Sequence, residues 1–262
     1  MIDADAIAQA AEALIEARTA YRVLDRFPGG VFPADIDEGY AILDAIAAQI
    51  AIPIGGWKAA LTNDAIMRKM KTNAPACGPL FQPYIRPAPA NLNLPAESMR
   101  GIECEFAFRM AASLPPREQP YTNAQTAAAV ATLHPAIEVV DTRVKNGMAH
   151  GAGALIADFC ANAALVYGSG LEDWADLDLA SHAVTLHVDG KAVVTGVGRE
   201  VLGDPRNALT WVANFLSNRG KGLKAGEWVT TGSTMGIYPV PVGSVVTADF
   251  GTLGTVDITF TA

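Results

Sequence analysis

One segment, Gly101–Met110 (GIECEFAFRM), limits the folds open to this chain more than any other. In an extended strand successive side chains leave on opposite faces. Ile102, Cys104, Phe106 and Phe108 therefore share one face, and Glu103, Glu105, Ala107 and Arg109 share the other. A face that apolar has to be buried against a second layer, which commits the chain to a packed, sheet-containing fold. The opposite face holds two carboxylates with Cα atoms ~6.7 Å apart. Like charges that close favour protonation unless a cation lies between them.

A third carboxylate, Glu138, sits inside Ala136-Ile137-Glu138-Val139-Val140, a strand-like apolar run. An unpaired charge there is costly. Three carboxylates without His or Cys suit a hard cation such as Mg²⁺, Mn²⁺ or Ca²⁺ rather than zinc. The spacing has a plainer reading too. Glu103 and Glu105 can line the wet face of an edge strand, with Glu138 paired to Arg143 or Lys145, because alternation is the ordinary pattern of a half-exposed strand.

Around this strand the pattern predicts a helical front and a β-rich body. Residues 2–24 carry apolar side chains at helical spacing (Ile7, Ala11, Leu14, Ile15, Ala20) and predict an amphipathic helix. Phe27-Pro28-Gly29-Gly30 stops it, and residues 35–50 predict a second helix with Tyr40, Leu43 and Ile46 on one face. Residues 57–63 read as a short strand and 64–71 as a modest helix. Residues 73–79 read as a loop, and the proline-bearing stretch 81–98 as extended, irregular chain. A helix over residues 123–133 leads into the run that holds Glu138. Residues 182–188, 192–197, 227–231, 244–250 and 255–260 predict strands separated by glycine turns, and 204–218 a helix among them. The fold class is α+β: a mainly helical region, 1–72, followed by a β-rich body, 73–262.

Composition narrows the partners. The formal net charge is −8, and no stripe of Lys and Arg is present to neutralise phosphates, so nucleic acid is not an expected partner. An anionic substrate must then be drawn by a local cation, which a bound metal would supply. Cys77, Cys104 and Cys160 lack zinc or redox spacing and read as buried thiols. The acidic start MIDADAIAQAAEAL lacks a signal-peptide pattern, and no stretch is apolar enough to span a bilayer. The expectation is a cytoplasmic protein with no membrane contact.

Several motifs in order carry a resemblance. They are Gly55-Gly56-Trp57-Lys58-Ala59-Ala60-Leu61-Thr62, Ile102-Glu103-Cys104-Glu105-Phe106-Ala107-Phe108 and Pro135-Ala136-Ile137-Glu138-Val139-Val140-Asp141-Thr142-Arg143. Asn207–Asn214, Gly222–Glu227, Thr231-Gly232-Ser233 and Ala248–Gly254 follow. Together they resemble the 2-keto-4-pentenoate hydratase / 4-oxalocrotonate decarboxylase family of the fumarylacetoacetate hydrolase superfamily, over nearly the whole chain. The resemblance implies a mixed β-roll body and a homo-oligomer. It implies Glu103, Glu105 and Glu138 as ligands to Mg²⁺ or Mn²⁺, Lys58 as the catalytic group over a small 2-oxo acid, and Ser233 and Thr234 as contacts to its carboxylate.

The implied activity is that of a metal-dependent lyase. A hydratase adding water to a 2-hydroxydienoic acid, to give a 4-hydroxy-2-oxo acid, comes first. A decarboxylase, a fumarylacetoacetate-type C–C hydrolase and a non-catalytic binder of 2-oxo acids are the alternatives. A cation at the C2 oxygen stabilises the enolate that such chemistry passes through, and Lys58 is placed to move protons. The plainer reading of Lys58 is a surface lysine at a strand end.

The chain departs from the family pattern at Pro75-Ala76-Cys77-Gly78, where Ala76 stands in place of the usual aspartate. That raises the decarboxylase alternative and makes Asn73 and Asp158 candidate substitutes. Phe159 and Ala161 replace residues that are often Ser and Asn in relatives, and Ala60 replaces a glycine. Gly232-Ser233-Thr234-Met235-Gly236 lacks the strand–turn–helix setting of a nucleophile elbow. Residues 147–153 lack a dinucleotide fingerprint and predict a loop near the site. His134 and His150 stand alone, which favours structural roles, with His150 alternatively at the pocket mouth.

Overall fold

The structure is a computed structural model and describes residues 2–30 and 32–261. In chain order the elements are α1 (Ala4–Thr19), α2 (Ile36–Gln49), β1 (Ile54–Ala60), α3 (Asp64–Lys69), β2 (Ala76–Phe81), β3 (Ile85–Pro87) and β4 (Ala90–Asn93). Then come β5 (Gly101–Met110), α4 (Asn123–Ala128), β6 (Val130–Val140), α5 (Ala152–Ala157), β7 (Asn162–Tyr167), β8 (Ala183–Val188) and β9 (Lys191–Val197). The chain closes with α6 (Pro205–Asn218), β10 (Trp228–Thr230), β11 (Tyr238–Pro239), β12 (Val245–Asp249) and β13 (Thr255–Thr261).

Helix starts follow local chemistry. Asp3, Asp35, Asn63 and Asp204 each cap a helix by accepting from a backbone N–H two or three residues on, and Thr122 and Gln125 form a capping box on α4. Strands assemble into two sheets. The larger runs β2-β1-β10-β5-β6-β7-β3, with β11 also paired to β5; the smaller runs β4-β13-β12-β8-β9.

β5 is an interior strand, flanked by β6 and β10, so the edge-strand reading of Glu103 and Glu105 is excluded. Its alternation falls as the sequence predicts. Ile102, Cys104, Phe106 and Phe108 join the main core with β12 and β13 of the smaller sheet and with α6, whereas Ala107 packs on the opposite face with Ala136. On that opposite side, α2 and α5 pack around Val140 and the β1–α3 turn, and α1 and α2 pack on Phe81 and Phe159. β1, which precedes residue 73, lies within the larger sheet between β2 and β10.

Three local expectations are corrected. Residues 76–79, within the stretch 73–79 read as loop, belong to the fully buried strand β2 (Ala76–Phe81). Gly78 is required there, since a Cβ would press to 2.8 Å from the Cys160 Cβ and Sγ. Pro79 is tolerated because β2 ends the sheet. The predicted helix over 123–133 stops at Ala128, and β6 begins at Val130, because residues 130–140 pair along the length of β5. The stretch 81–98 is not wholly irregular. Its strand β3 pairs with β7, and its strand β4 pairs with β13.

Candidate metal centre and active-site cavity

The carboxylates converge through strand register. β5 and β6 pair antiparallel with Glu103 directly opposite Glu138 and Glu105 opposite Ala136, so all three acids leave the same face of adjacent strands. One oxygen from each lies within 4.8 Å of the others. Glu105 and Glu138 are fully buried, and Glu103 opens onto a cavity of about 270 Å³.

Each acid is held differently. Glu105 Oε2 accepts from the Gly232 N–H at 3.0 Å, while its Oε1 is buried without a hydrogen-bond partner among the described residues. Glu138 Oε1 accepts from Asn162 Nδ2 at 2.8 Å, and its Oε2 lies 2.7 Å from Lys58 Nζ. Burial, then Glu138 and Glu103, push the Glu105 carboxyl well above its ordinary range. Burial and the neighbouring Glu138 outweigh Lys58 and hold Glu103 up at about 7. An all-oxygen set, mutually repelling and with a buried unsatisfied oxygen, fits a hard divalent cation.

Lys58 lies at the centre of β1 and is 2% exposed, so it is not a surface lysine. Burial alone would lower its pKa; the carboxylates, Glu138 foremost, reverse that and raise it. Its Nζ also donates to the Cys160 carbonyl at 3.1 Å. That carbonyl belongs to an unusual turn: Phe159, Cys160 and Ala161 have φ of 55°, 51° and 58°. Non-glycine residues in the left-handed region cost roughly 1–2 kcal/mol each. Surrounding contacts hold the turn in place. Arg143 binds Asp158 through Nε and its own backbone N–H, both at 2.6 Å, and donates to the Asn162 carbonyl at 2.7 Å. Arg143 thus serves Asp158, not Glu138, and Asp158 is not available as a replacement acid.

The loop after β10 forms the other wall. Thr231 Oγ1 donates to the Phe106 carbonyl, and Thr234 Oγ1 donates to the Cys104 carbonyl at 2.9 Å. The loop is thereby pinned along β5, and the Gly232 N–H reaches Glu105. Ser233 lines the cavity, its hydroxyl donating to the Gly236 carbonyl at 2.8 Å. Thr234, expected beside it as a carboxylate contact, is fully buried, holds the loop through Cys104, and is not among the cavity-lining residues.

Ala60 and Ala161, two of the departures read in the sequence, line the cavity, as does Met148 from the glycine-rich stretch; Asn73 does not. His134 bonds Thr132 and the Gly168 carbonyl and packs on Trp228 and Tyr167, away from the site. His150 stacks on Phe32 beside a separate surface groove. Asn162, Asn63 and Lys69 were not singled out in the sequence. Asn162 carried the one available signal, a polar residue opening an apolar strand.

No family model matches the chain. It is 30% identical to a 2-keto-4-pentenoate hydratase of Burkholderia vietnamiensis over 268 residues, covering 100% of both chains. It is 29% identical to a 4-oxalocrotonate decarboxylase of a Pseudomonas species over 206 residues, covering 78% of this chain and 76% of that one. The solved 4-oxalocrotonate decarboxylase from Pseudomonas putida G7, complexed with magnesium and adipate, superposes with a TM-score of 0.88 over 99% of both chains, at 23% identity.

The α+β fold is shared with a solved fumarylacetoacetate hydrolase family protein from Yersinia pestis, which superposes with a TM-score of 0.61 at 14% identity over 80% of this chain and 95% of that one, and the carboxylate cluster suits a divalent metal. The chain belongs to the 2-keto-4-pentenoate hydratase / 4-oxalocrotonate decarboxylase family.

Proposed function

We propose that the protein is a metal-dependent lyase acting on a small 2-oxo or 2-hydroxydienoic acid, with hydration to a 4-hydroxy-2-oxo acid as the first reading. The observation that carries it is the juxtaposition of Glu103, Glu105 and Glu138 with the buried Lys58, of which Glu103 and Lys58 line one cavity. When bound by these acids, Mg²⁺ or Mn²⁺ supplies positive charge to hold the oxygens of a 2-oxo acid and to stabilise negative charge developing at C2.

Lys58 holds the proton to be moved. An ammonium has three donors; one faces Glu138 Oε2 and one the Cys160 carbonyl. The third is left for a substrate oxygen or carbon. Ser233, once its hydroxyl turns from Gly236, binds the substrate carboxylate, and Thr234 keeps that loop in register. Leu61, Val140, Leu155 and Ile237 exclude water from the hydrocarbon chain. A homo-oligomer in the cytoplasm goes with this reading, and light scattering checks the assembly. The family's usual acid is replaced at Ala76, and Asp158 is committed to Arg143. Both facts favour decarboxylation as the second reading.

The test follows 2-hydroxypenta-2,4-dienoate and 4-oxalocrotonate by ultraviolet absorbance with metal-stripped protein, before and after Mg²⁺ or Mn²⁺. Metal-dependent loss of the dienoate to a 4-hydroxy-2-oxo acid, abolished in Glu105→Ala and in Lys58→Met, is expected. Release of CO₂ from oxalocrotonate instead selects the second reading. No turnover of either, with metal bound, defeats both.

A further inference from the structure

The cavity has a second cationic point that the proposed chemistry does not use. Lys58 is buried at its floor, whereas Lys69, on the last turn of α3, is exposed and lines its mouth. Between them the wall is mostly apolar: Leu61, Ile66, Met70, Val140, Leu155 and Ile237. Lys69 makes no ion pair with any described residue, and Glu103 is the only acid among the described residues lining the cavity. Asn63, which caps α3, adds a polar group to the same mouth.

We infer that Lys69 is a specificity-determining residue that receives a second carboxylate at the far end of the substrate, so the chain takes 2-oxo dicarboxylic acids in preference to monocarboxylic ones. This rests on the 2-oxo acid reading above, within which it favours the diacid oxalocrotonate over the monoacid pentadienoate, and in which the 2-oxo end lies at the carboxylate cluster. A substrate anchored there sends its carbon chain along the apolar wall, and its far end emerges where Lys69 waits. A methyl terminus gains nothing from an ammonium, which stays hydrated. A carboxylate gains a charge-assisted hydrogen bond. Lys69 also answers a global difficulty: the chain carries a net charge of −8, which repels a dianion, and a cation at the mouth draws it in locally.

The test uses binding, not turnover. The Mg²⁺-loaded protein is titrated calorimetrically with 2-oxohexanedioate and with 2-oxohexanoate, which differ only in the terminal carboxylate. The wild type should prefer the diacid roughly five- to tenfold, as for a partly solvated pair, and the preference should shrink in high salt. Lys69→Met should bring the ratio to about one, Lys69→Arg should keep it, and so should Lys71→Met, since Lys71 does not line the cavity. A wild-type ratio near one, or a ratio unchanged in Lys69→Met, overturns the role of Lys69. In that case Mg²⁺-dependent binding of both acids would leave the 2-oxo acid reading standing. Binding of neither acid with Mg²⁺ present overturns both.

Discussion

Replacing Glu103 with glutamine separates what the carboxylate cluster does with a cation from what it does without one. In the metal-free protein Glu103 is held at about 7, against an ordinary 4.5, chiefly by burial. Between those values the folded protein holds more protons than the unfolded chain, so the contribution of this group to stability falls as pH rises through the window. At about 1.4 kcal/mol per tenfold change, full ionisation costs the fold about 3 kcal/mol. Glu103 opens onto a cavity that water can enter, and this solvation reduces the cost to about 1–3 kcal/mol. The amide of the Glu103→Gln variant has no charge to form. In EDTA, urea unfolding should show the variant gaining on the wild type by about 1–3 kcal/mol between about pH 4.5 and 8. Mg²⁺ should reverse the order. At a concentration 100 times the wild-type Kd it stabilises the wild type by about 2.7 kcal/mol, and a variant that binds 100-fold more weakly by only about 0.4 kcal/mol. Parallel pH profiles in EDTA would refute the electrostatic argument. Equal stabilisation by Mg²⁺ would refute Glu103 as a ligand.

Asn162→Ala removes the amide that holds Glu138 Oε1; Mg²⁺ affinity measured by calorimetry should fall roughly 10- to 100-fold, and an unchanged value would mean that Lys58 alone positions Glu138. Gly232→Ala sets a Cβ against Thr62 Oγ1 at a φ of +97°. Chemical denaturation should then show a loss of more than about 2 kcal/mol, and wild-type stability would contradict the described turn. Ala76 stands opposite Ala60 in the β1–β2 ladder, so both side chains leave on one face, and Ala60 lines the cavity. Ala76→Asp, which restores an acid beside the cavity, should therefore speed water addition to 2-hydroxypenta-2,4-dienoate, as read by proton NMR, and a folded variant with an unchanged rate would remove Ala76 from the argument.

The period-two alternation of residues 101–110 was enough to place Glu103 and Glu105 on one face, and the apolar setting of Glu138 marked it as needing a partner. What the sequence could not supply was register. That Glu138 faces Glu103 rather than Arg143 is a property of how β5 and β6 pair, and no local pattern states it. The same limit explains the strand at 76–81. Glycine and proline there are signals of turns in general, yet here they answer to Cys160 pressing on one side and to a sheet edge on the other. Helix α4 was legible at its Thr122 cap but not at its end, because pairing with β5 overrides the helix propensity of the residues that follow.

The left-handed run at Phe159, Cys160 and Ala161 is the part that sequence reasoning was least able to reach, and it bears most on function. No propensity assigns three non-glycine residues to that conformation, and a protein that needed only to keep its fold would gain by relaxing them. Here the turn is fixed by the Arg143–Asp158 pair and by burial, and it delivers a carbonyl to Lys58 opposite Glu138. Strain maintained where a buried cation meets a carboxylate cluster is what a working site requires. A passive binder of 2-oxo acids would need the three carboxylates, but it would not need a buried lysine fixed from two sides with one donor left over. That geometry favours catalysis over binding alone, and it makes Lys58→Met, with Mg²⁺ affinity retained and turnover lost, the substitution that separates the two.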